Sequence, residues 1–314
     1  MTINGVSVVD FAAVLLATGL LRAVPLVVAG IGEAVAERAG LLNLGIEGMM
    51  LSGCFFGFWA AYETDSLLIG MLAAVGAGLV LALLFGWLAI TLKIDQILIG
   101  LAITIAGSGL TGYLFRDQFG GRNVAVDVNT SKIHVPWLKE IPVIGPALFE
   151  QQPLFYVSWA LVPIVAWVLF RTRFGLQVRG AGEAPVAVDA AGVSVDRVRY
   201  AAIAIGGALA GFAGGFLCVA DVGIFTTNMT VGQGFIALAL AMVGNWSPWR
   251  IAVGAIVFGL LRSMGDGLQI LGVNVRPEFL AMLPYLGVIL AMVLLAGRTR
   301  LPAALATPYR RGAR

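Results

Sequence analysis

Long apolar stretches alternate with short polar segments along nearly the whole chain. A helix needs about 20 apolar residues to cross a hydrocarbon core roughly 30 Å thick, and most of the stretches approach that length. Apolar runs lie at about 8–30, 44–62, 67–90, 97–115, 154–170, 201–220, 233–245, 250–264 and 279–297. The pattern predicts an all-α fold, a polytopic membrane helix bundle with about 8–10 transmembrane spans, forming a single domain over residues 1–314.

The number of crossings depends on the short runs. The runs at 233–245 and 250–264 are shorter than a full span and are interpreted as broken or tilted helices. Nine spans place the N-terminus outside the cytoplasm, in agreement with its lack of basic residues. A further broken crossing within 31–43 would make ten spans and move the N-terminus inside.

One polar segment, residues 171–200, interrupts the apolar pattern near the middle of the chain. It carries five arginines, Arg171, Arg173, Arg179, Arg197 and Arg199. Loops rich in Lys and Arg stay on the cytoplasmic side of a membrane, so this segment is predicted to be a cytoplasmic loop. Alternation of the spans then places residues 116–153 in an extracytoplasmic segment and residues 298–314 in a cytoplasmic tail.

A short helix is predicted within this cytoplasmic loop, over residues 185–191. Pro185 suits the first turn of a helix, where its missing N–H costs nothing, and Gly192 suits the position just past the end. A helix this short is not stable alone. We therefore interpret it as a cytoplasmic coupling helix that docks on a soluble partner.

Composition supports a membrane protein and argues against several other classes. Charged residues make up 12% of the chain and the mean hydropathy is +0.95, whereas soluble domains carry about 25% charged residues. The chain has no P-loop motif, one histidine (His134) and no nucleophile–base pair. We expect no catalytic residues, no metal site, no cofactor and no nucleic-acid partner; the lipid bilayer is the expected surrounding.

Four polar residues in apolar, glycine-rich surroundings are candidates for the path of a polar solute: Asn43, Glu47, Gln233 and Asn245. Asn43 and Glu47 are four residues apart, hence on one face if a helix has already begun there. Hydrogen bonding between helices is an equally good interpretation of these residues. Residues 245–249 break an apolar run, as a turn at the membrane surface would, with Trp246 and Trp249 as interfacial anchors.

Charged residues also occur within or beside the apolar runs, among them Arg22, Glu33, Asp221, Arg262 and Asp266. A charge in the middle of a bilayer costs about 3 kcal/mol on insertion scales, so these side chains should face protein or water. They are interpreted either as parts of a polar path and inter-helix pairs, or as residues that reach the membrane interface. Most lie near the ends of runs, which argues modestly against a proton-coupled carrier.

Three motifs, in this order, resemble those of a known family. They are ERAGLLNLGIEGMM at 37–50, GEAPVAVDAAGVSVDRVR at 182–199 and GQGFIALALAMVG at 232–244. Together they resemble bacterial ABC-importer permeases for nucleosides and simple sugars, within the group that includes branched-chain amino-acid and ribose permeases. The nucleoside branch is favoured because the NLGIEGMM stretch looks closest to it.

The resemblance implies a transport subunit that does not itself hydrolyse ATP, located in the bacterial cytoplasmic membrane. Its implied partners are a cytoplasmic ABC ATPase, a second homologous permease subunit, preferably a different chain, and an extracytoplasmic substrate-binding protein. Simple sugars or branched-chain amino acids are the alternative solutes, and a secondary carrier or channel is the alternative class.

Segment 182–192 is expected to dock in a groove on the ATPase, although its DAAG at 189–192 departs from the usual pattern of such loops. The expected coupling residues are Arg179, Gly182, Glu183, Pro185, Ala187, Asp189, Ala190 and Gly192.

Overall fold

The fold is a bundle of long helices joined by short connections. This computed structural model describes residues 2–310 except 4–5, 123, 127, 129–130, 135–140, 271–275 and 296–299. The helices are α1 (Val8–Arg38), α2 (Ile46–Thr64), α3 (Leu67–Gly86), α4 (Gln96–Phe119), α5 (Ile144–Phe149), α6 (Pro153–Arg171), α7 (Arg173–Glu183), α8 (Pro185–Ala190), α9 (Val195–Gly215), α10 (Gln233–Val243), α11 (Pro248–Ile270) and α12 (Pro277–Leu295).

Two helices end in π-helical turns, and four two-residue strands form small antiparallel pairs. The π turns are Trp87–Thr91 after α3 and Phe216–Val222 after α9. The strands are β1 (Thr2–Ile3), β2 (Val6–Ser7), β3 (Ile133–His134) and β4 (Glu150–Gln151), paired β1 with β2 and β3 with β4.

The all-α membrane fold is confirmed, and each of the nine apolar runs falls on a helix. Among the described residues, five helical segments are long and apolar enough to cross a membrane. They are Phe11–Arg38, Leu67–Thr91, Gln96–Phe119, Pro153–Arg171 and Val195–Val222. Helices α2, α10, α11 and α12 pack within the same bundle. The structure does not support the alternative of a further broken crossing within 31–43, because α1 continues without interruption to Arg38.

Helix α1 is the centre of the bundle. It packs against α6, α9, α10 and α11, and its residues from Ala23 to Ala36 are almost all buried. The segment that precedes α6 also rests on it, through α5 and the buried Ala147. The extracytoplasmic piece around Trp137 lies outside the described residues, as does the side chain of His134.

Glycines allow neighbouring helices to approach until their backbones touch. A Cβ atom added at Gly78 of α3 would lie 2.2 Å from the carbonyl oxygen of Gly207 in α9, and one at Gly53 of α2 would lie 2.4 Å from that of Gly211. Such contacts exclude any larger residue and are typical of helix pairs in lipid. The glycine-rich faces at 70–78 and 206–215 therefore meet each other inside the chain. Of the two uses open to these glycines, contact within the chain or contact with a second permease, the structure shows the first.

Two long helices are each followed by a segment that returns into the bundle. Helices α1 and α9 are antiparallel, since Gly32 lies against Gly206 and Gly40 against Arg199. After α1, residues 39–45 run back along α4, where Gly45 contacts Ile103, and α2 begins beside them. After α9 and its π turn, residues 223–232 lead to α10 in the same way. The two halves are thus arranged as an inverted pair, a design found in transporters.

The C-terminal tail crosses the end of the bundle that carries α7 and α8. The Ala304 N–H donates to the carbonyl oxygen of Gly182 at 2.8 Å, and the Ala306 N–H donates to that of Gly40 at 3.1 Å. The buried guanidinium of Arg199 donates to the carbonyl oxygens of Ala39 at 3.1 Å and Thr307 at 3.0 Å. Arg199 thereby joins the end of α1, the start of α9 and the tail.

Candidate substrate path and coupling surface

Glu47 connects the beginnings of α2 and α10. Its side chain is only 7% exposed, and its carboxylate accepts three hydrogen bonds from the chain around the start of α10. The donors are the Thr230 hydroxyl at 2.5 Å, the Gly232 N–H at 2.8 Å and the Gly234 N–H at 2.6 Å. The first N–H groups of a helix have no partner within it and carry partial positive charge, so a carboxylate stabilises them.

The opposite end of α10 is held by the last turn of α1. The Trp246 indole N–H donates to the Glu37 carboxylate, and the Arg38 guanidinium lies 5.7 Å from the centre of the Trp246 ring. Arg38 also donates to the carbonyl oxygen of Asn245 at 3.1 Å. Trp246 is completely buried, so its predicted role as an interfacial anchor is wrong; Trp249 is 58% exposed, and its role as an anchor stays a prediction.

The four residues expected along the solute path do not form one group. Asn43 is fully buried; its backbone N–H donates to Glu33 at 3.1 Å, and its side-chain oxygen accepts from the Gly45 N–H at 3.1 Å. Asn43 precedes α2 in a turn, so the expected shared helix face with Glu47 does not exist.

Gln233 begins α10 and is 2% exposed, and its side-chain amide has no hydrogen-bond partner among the described residues. Asn245 lies at the other end of α10, where its side-chain oxygen accepts from the Arg300 N–H at 3.2 Å. The structure therefore brings Glu47 and Gln233 to one helix junction and separates Asn245 from them. Their contact with a solute stays a prediction.

An exposed polar surface lies beside this junction. Thr226, Thr227 and Asn228 are exposed in the segment before α10, and the Ser108 hydroxyl donates to the Asn228 side-chain oxygen at 2.5 Å. On the other side, the Tyr285 hydroxyl donates to the carbonyl oxygen of Val231 at 3.0 Å. We call this group, Ser108, Thr226, Thr227, Asn228, Val231 and Tyr285, the mid-membrane polar surface.

Its depth follows from the helices that flank it. Ser108 is the thirteenth of the 24 residues of α4, and Tyr285 is the ninth of the 19 residues of α12. Ser108 therefore lies near the middle of a helix long and apolar enough to cross a membrane, and Tyr285 lies near the middle of α12. Irregular backbone does not occur at this depth facing lipid; it is found only where protein covers it or where it borders a water-filled cavity. The mid-membrane polar surface must therefore face water or another protein chain.

Sequence reasoning missed this surface because its residues are ordinary in type. Serine, threonine and asparagine are common in helix connections, and residues 221–232 were simply the gap between two apolar runs. A usable signal was present in the short run at 233–245, which indicated a broken helix. In transporters, the interruption that breaks a helix commonly marks the binding site.

The predicted coupling helix is present as α8, together with a longer helix that was not predicted. Helix α8 covers Pro185–Ala190 and has no buried residue, with Val186 67% exposed. Gly192 follows it with φ +82°, a left-handed conformation that favours glycine. The fold therefore presents α8 on its surface, as a docking element requires.

The eight expected coupling residues divide into an exposed group and a supporting group. Glu183, Ala187, Ala190 and Gly192 are exposed, and Pro185 and Asp189 are partly exposed. Gly182 is buried, because a Cβ atom there would lie 2.2 Å from the carbonyl oxygen of Arg38. Arg179 lies over the ring of Phe170 at 5.5 Å. Gly182 thus fixes α7 on the bundle, whereas Arg179 is partly exposed beside Phe170.

Three of the charged residues within the apolar runs are neighbours. Asp221, in the π turn after α9, lies within electrostatic reach of both Arg22 of α1 and Arg262 of α11. A charged side chain loses hydration free energy when it is buried in a membrane protein, and a nearby opposite charge offsets part of that loss. The proximity of these three residues supports their interpretation as an inter-helix pairing. The side chain of Asp266 lies outside the described residues.

These features define a class: a membrane permease with interrupted helices, a polar surface at mid-membrane depth and an exposed short helix, α8. The chain belongs to the family of branched-chain amino acid transport system permease components, which matches residues 15–297.

Named relatives are similar over most of their length. The chain is 33% identical to a nucleoside ABC transporter permease of Lactococcus lactis, covering 95% of this chain and 97% of the relative. It is 31% identical to a guanosine ABC transporter permease of Bacillus subtilis, covering 98% and 99%. It is 37% identical to a protein of Haloferax volcanii named provisionally as a glucose ABC transporter permease, covering 86% and 82%.

A solved structure shares the fold. An ABC transporter in an inward-facing conformation matches 90% of this chain and 85% of its own chain, with a TM-score of 0.51 and 19% sequence identity. At this identity the match shows that the helix arrangement is shared, and nothing about the solute.

Proposed function

We propose that this chain forms one half of the solute path in an ATP-driven importer of nucleosides or related purine compounds. Similarity to the nucleoside and guanosine permeases over 95% or more of this chain carries the proposal. The mid-membrane polar surface supplies hydroxyl and amide groups that suit a hydrogen-bonding solute. The location proposed for the chain is the cytoplasmic membrane of a bacterium.

The surfaces of the chain suit three protein partners. The exposed α8 offers a docking element for a cytoplasmic ABC ATPase, because the chain itself has no P-loop. A second permease would complete the path, because irregular backbone in the middle of a membrane must be shielded from lipid and the mid-membrane polar surface is open on this chain. A separate binding protein would capture the solute outside the cytoplasm.

A simple sugar is the competing solute. The relative from Haloferax, with a provisional glucose assignment and 37% identity, supports this alternative. Hydroxyl and amide groups hydrogen-bond sugars as readily as nucleosides, so the polar surface alone does not separate the two. We favour nucleosides because those relatives align over nearly their whole length.

Uptake by the reconstituted importer tests the proposal. The permease is placed in proteoliposomes with the ATPase, permease and binding protein encoded beside it, and uptake of labelled guanosine, adenosine and glucose is compared with and without ATP. We expect ATP-dependent nucleoside uptake. ATP-dependent uptake of glucose alone, or nucleoside uptake that does not need ATP, would overturn the proposal.

Two variants test the role of the mid-membrane polar surface. Asn228→Leu should reduce nucleoside uptake several-fold, because one hydrogen bond contributes about 1 kcal/mol. Gln118→Leu, which changes an exposed amide at the outer end of α4, is the matched control and should leave uptake unchanged. Equal uptake by both variants would show that Asn228 does not meet the solute.

A further inference from the structure

An open groove lies on the side of the bundle between α10, α11 and α12. It encloses about 670 Å³ and is lined mainly by apolar side chains, among them Leu240, Val253, Val257 and Leu261. Val253 is 61% exposed and Val257 52% exposed, so the groove faces outward from the bundle.

The end of the groove carries polar and cationic groups. Asn245, Trp249 and Arg250 line it there, with Trp249 and Arg250 exposed. Arg300, also exposed, lies beside them because its N–H donates to the Asn245 side-chain oxygen. This is the end of the bundle that carries α7 and α8 and most of its arginines, which places the opening at the cytoplasmic surface.

The length of the groove matches one leaflet of a bilayer. Arg250 and Leu261 are separated by about 16 Å along α11, at a rise of about 1.5 Å per residue. The hydrocarbon of one leaflet is about 15 Å thick, half of the whole core. A groove with a cationic opening at the interface and an apolar body of this length has the charge and dimensions of a phospholipid.

We propose that this groove binds an anionic phospholipid of the cytoplasmic leaflet. One acyl chain lies along Val253, Val257 and Leu261, and the phosphate lies at Arg250 with Asn245 as a hydrogen-bond donor. Trp249 sits at headgroup level, where indole rings are favoured. The opposite charges of Arg250 and the lipid phosphate favour this occupant over an apolar helix of another chain, which would leave the arginine without a partner.

Retention of defined lipids tests the proposal. The whole chain is reconstituted in nanodiscs that contain equal amounts of phosphatidylglycerol and phosphatidylcholine, then released and analysed by native mass spectrometry. We expect bound phosphatidylglycerol to exceed phosphatidylcholine about fivefold, the ratio that one basic residue near an anionic lipid provides. Arg250→Ala should abolish this preference, whereas Arg171→Ala, an exposed arginine at the same end but outside the groove, should preserve it.

A second pair of variants tests the apolar part. Val253→Trp fills the groove and should remove one bound lipid, whereas Ile164→Trp, at an exposed position on α6, should not. Val257→Trp serves in its place if Val253→Trp is not monodisperse. Unchanged lipid binding in both Arg250→Ala and the groove-filling variant would overturn the proposal.

Discussion

At the scale of single residues, the buried carboxylate of Glu47 makes the contacts that join α2 to α10. It accepts hydrogen bonds from three donors around the start of α10, where burial largely excludes water. Glutamine at this position would keep one acceptor oxygen and turn an NH₂ group toward backbone N–H groups. We expect Glu47→Gln to lower the free energy of unfolding by about 1.5–3 kcal/mol per hydrogen bond lost to the charged group.

Thermal unfolding followed by fluorescence-detected size exclusion measures this effect. Glu63→Gln, an exposed carboxylate at the far end of α2, is the matched control. If Glu47→Gln unfolds at the same temperature as the wild-type protein while uptake falls, Glu47 acts on the solute and its role at α10 is secondary.

Gln233 leads to the opposite expectation. A buried amide without partners costs about 1–3 kcal/mol, and an apolar side chain of similar shape removes that cost. We therefore expect Gln233→Met to raise the thermal unfolding temperature. The same variant should lower uptake if the amide meets the solute. A lower unfolding temperature would contradict the burial argument, because the amide would then have a partner in the working protein.

The sequence identified some of these residues but not their roles. Glu47 and Gln233 were notable because polar groups in apolar runs are costly, and that reasoning does not depend on tertiary structure. Which polar side chain points at a helix start, and which faces a path, depends on the connection 223–232. Ser108 and Tyr285 become neighbours of that connection only when α4 and α12 pack beside it.

At the scale of elements, α8 has no buried residue, and Val188 packs it against the bundle while Val186, Ala187 and Ala190 are exposed. Ala187 lies on its exposed side, so an added side chain there meets no neighbour within the chain. We expect Ala187→Arg to abolish co-purification of the ATPase while the permease still inserts. Gly192→Val should do the same by straining the left-handed turn after α8.

Expression level and ATPase recovery from purified membranes measure the two effects separately. Gln118→Arg, an exposed position at the opposite end of the bundle, is the control and should keep the ATPase bound. Normal recovery of the ATPase with both α8 variants would refute α8 as the docking element.

Membrane helices were predicted well because the bilayer requires long apolar stretches. The polar helices were harder to predict from the sequence. Helix α7 has a mixed composition with two arginines and three glycines, which weakens any helix signal, and it is stabilised by contact with α1. The continuation of α1 to Arg38 was also missed. Its last turns are polar, yet Glu33 and Glu37 are buried and Arg38 is partly buried against residue 245 and the segment 39–45.

At the scale of the whole molecule, the proposed function makes this chain one side of a solute path. The mid-membrane polar surface is open, and the glycine faces that might have bound a second chain are used internally. We expect ATP-dependent uptake only when this chain is expressed together with a second, different permease. Uptake by this chain with the ATPase and binding protein alone would show that two copies suffice.

The tail that crosses the cytoplasmic end has a consequence for biosynthesis. Residues 300–310 leave the ribosome after all the described helices of the bundle, yet they supply the bonds that join α7, Gly40 and Arg199. The helices can therefore enter the membrane before the ATPase-facing side is secured. A translation product that stops before residue 304 would lack these bonds, so we expect it to insert but to hold α7 less firmly against the bundle.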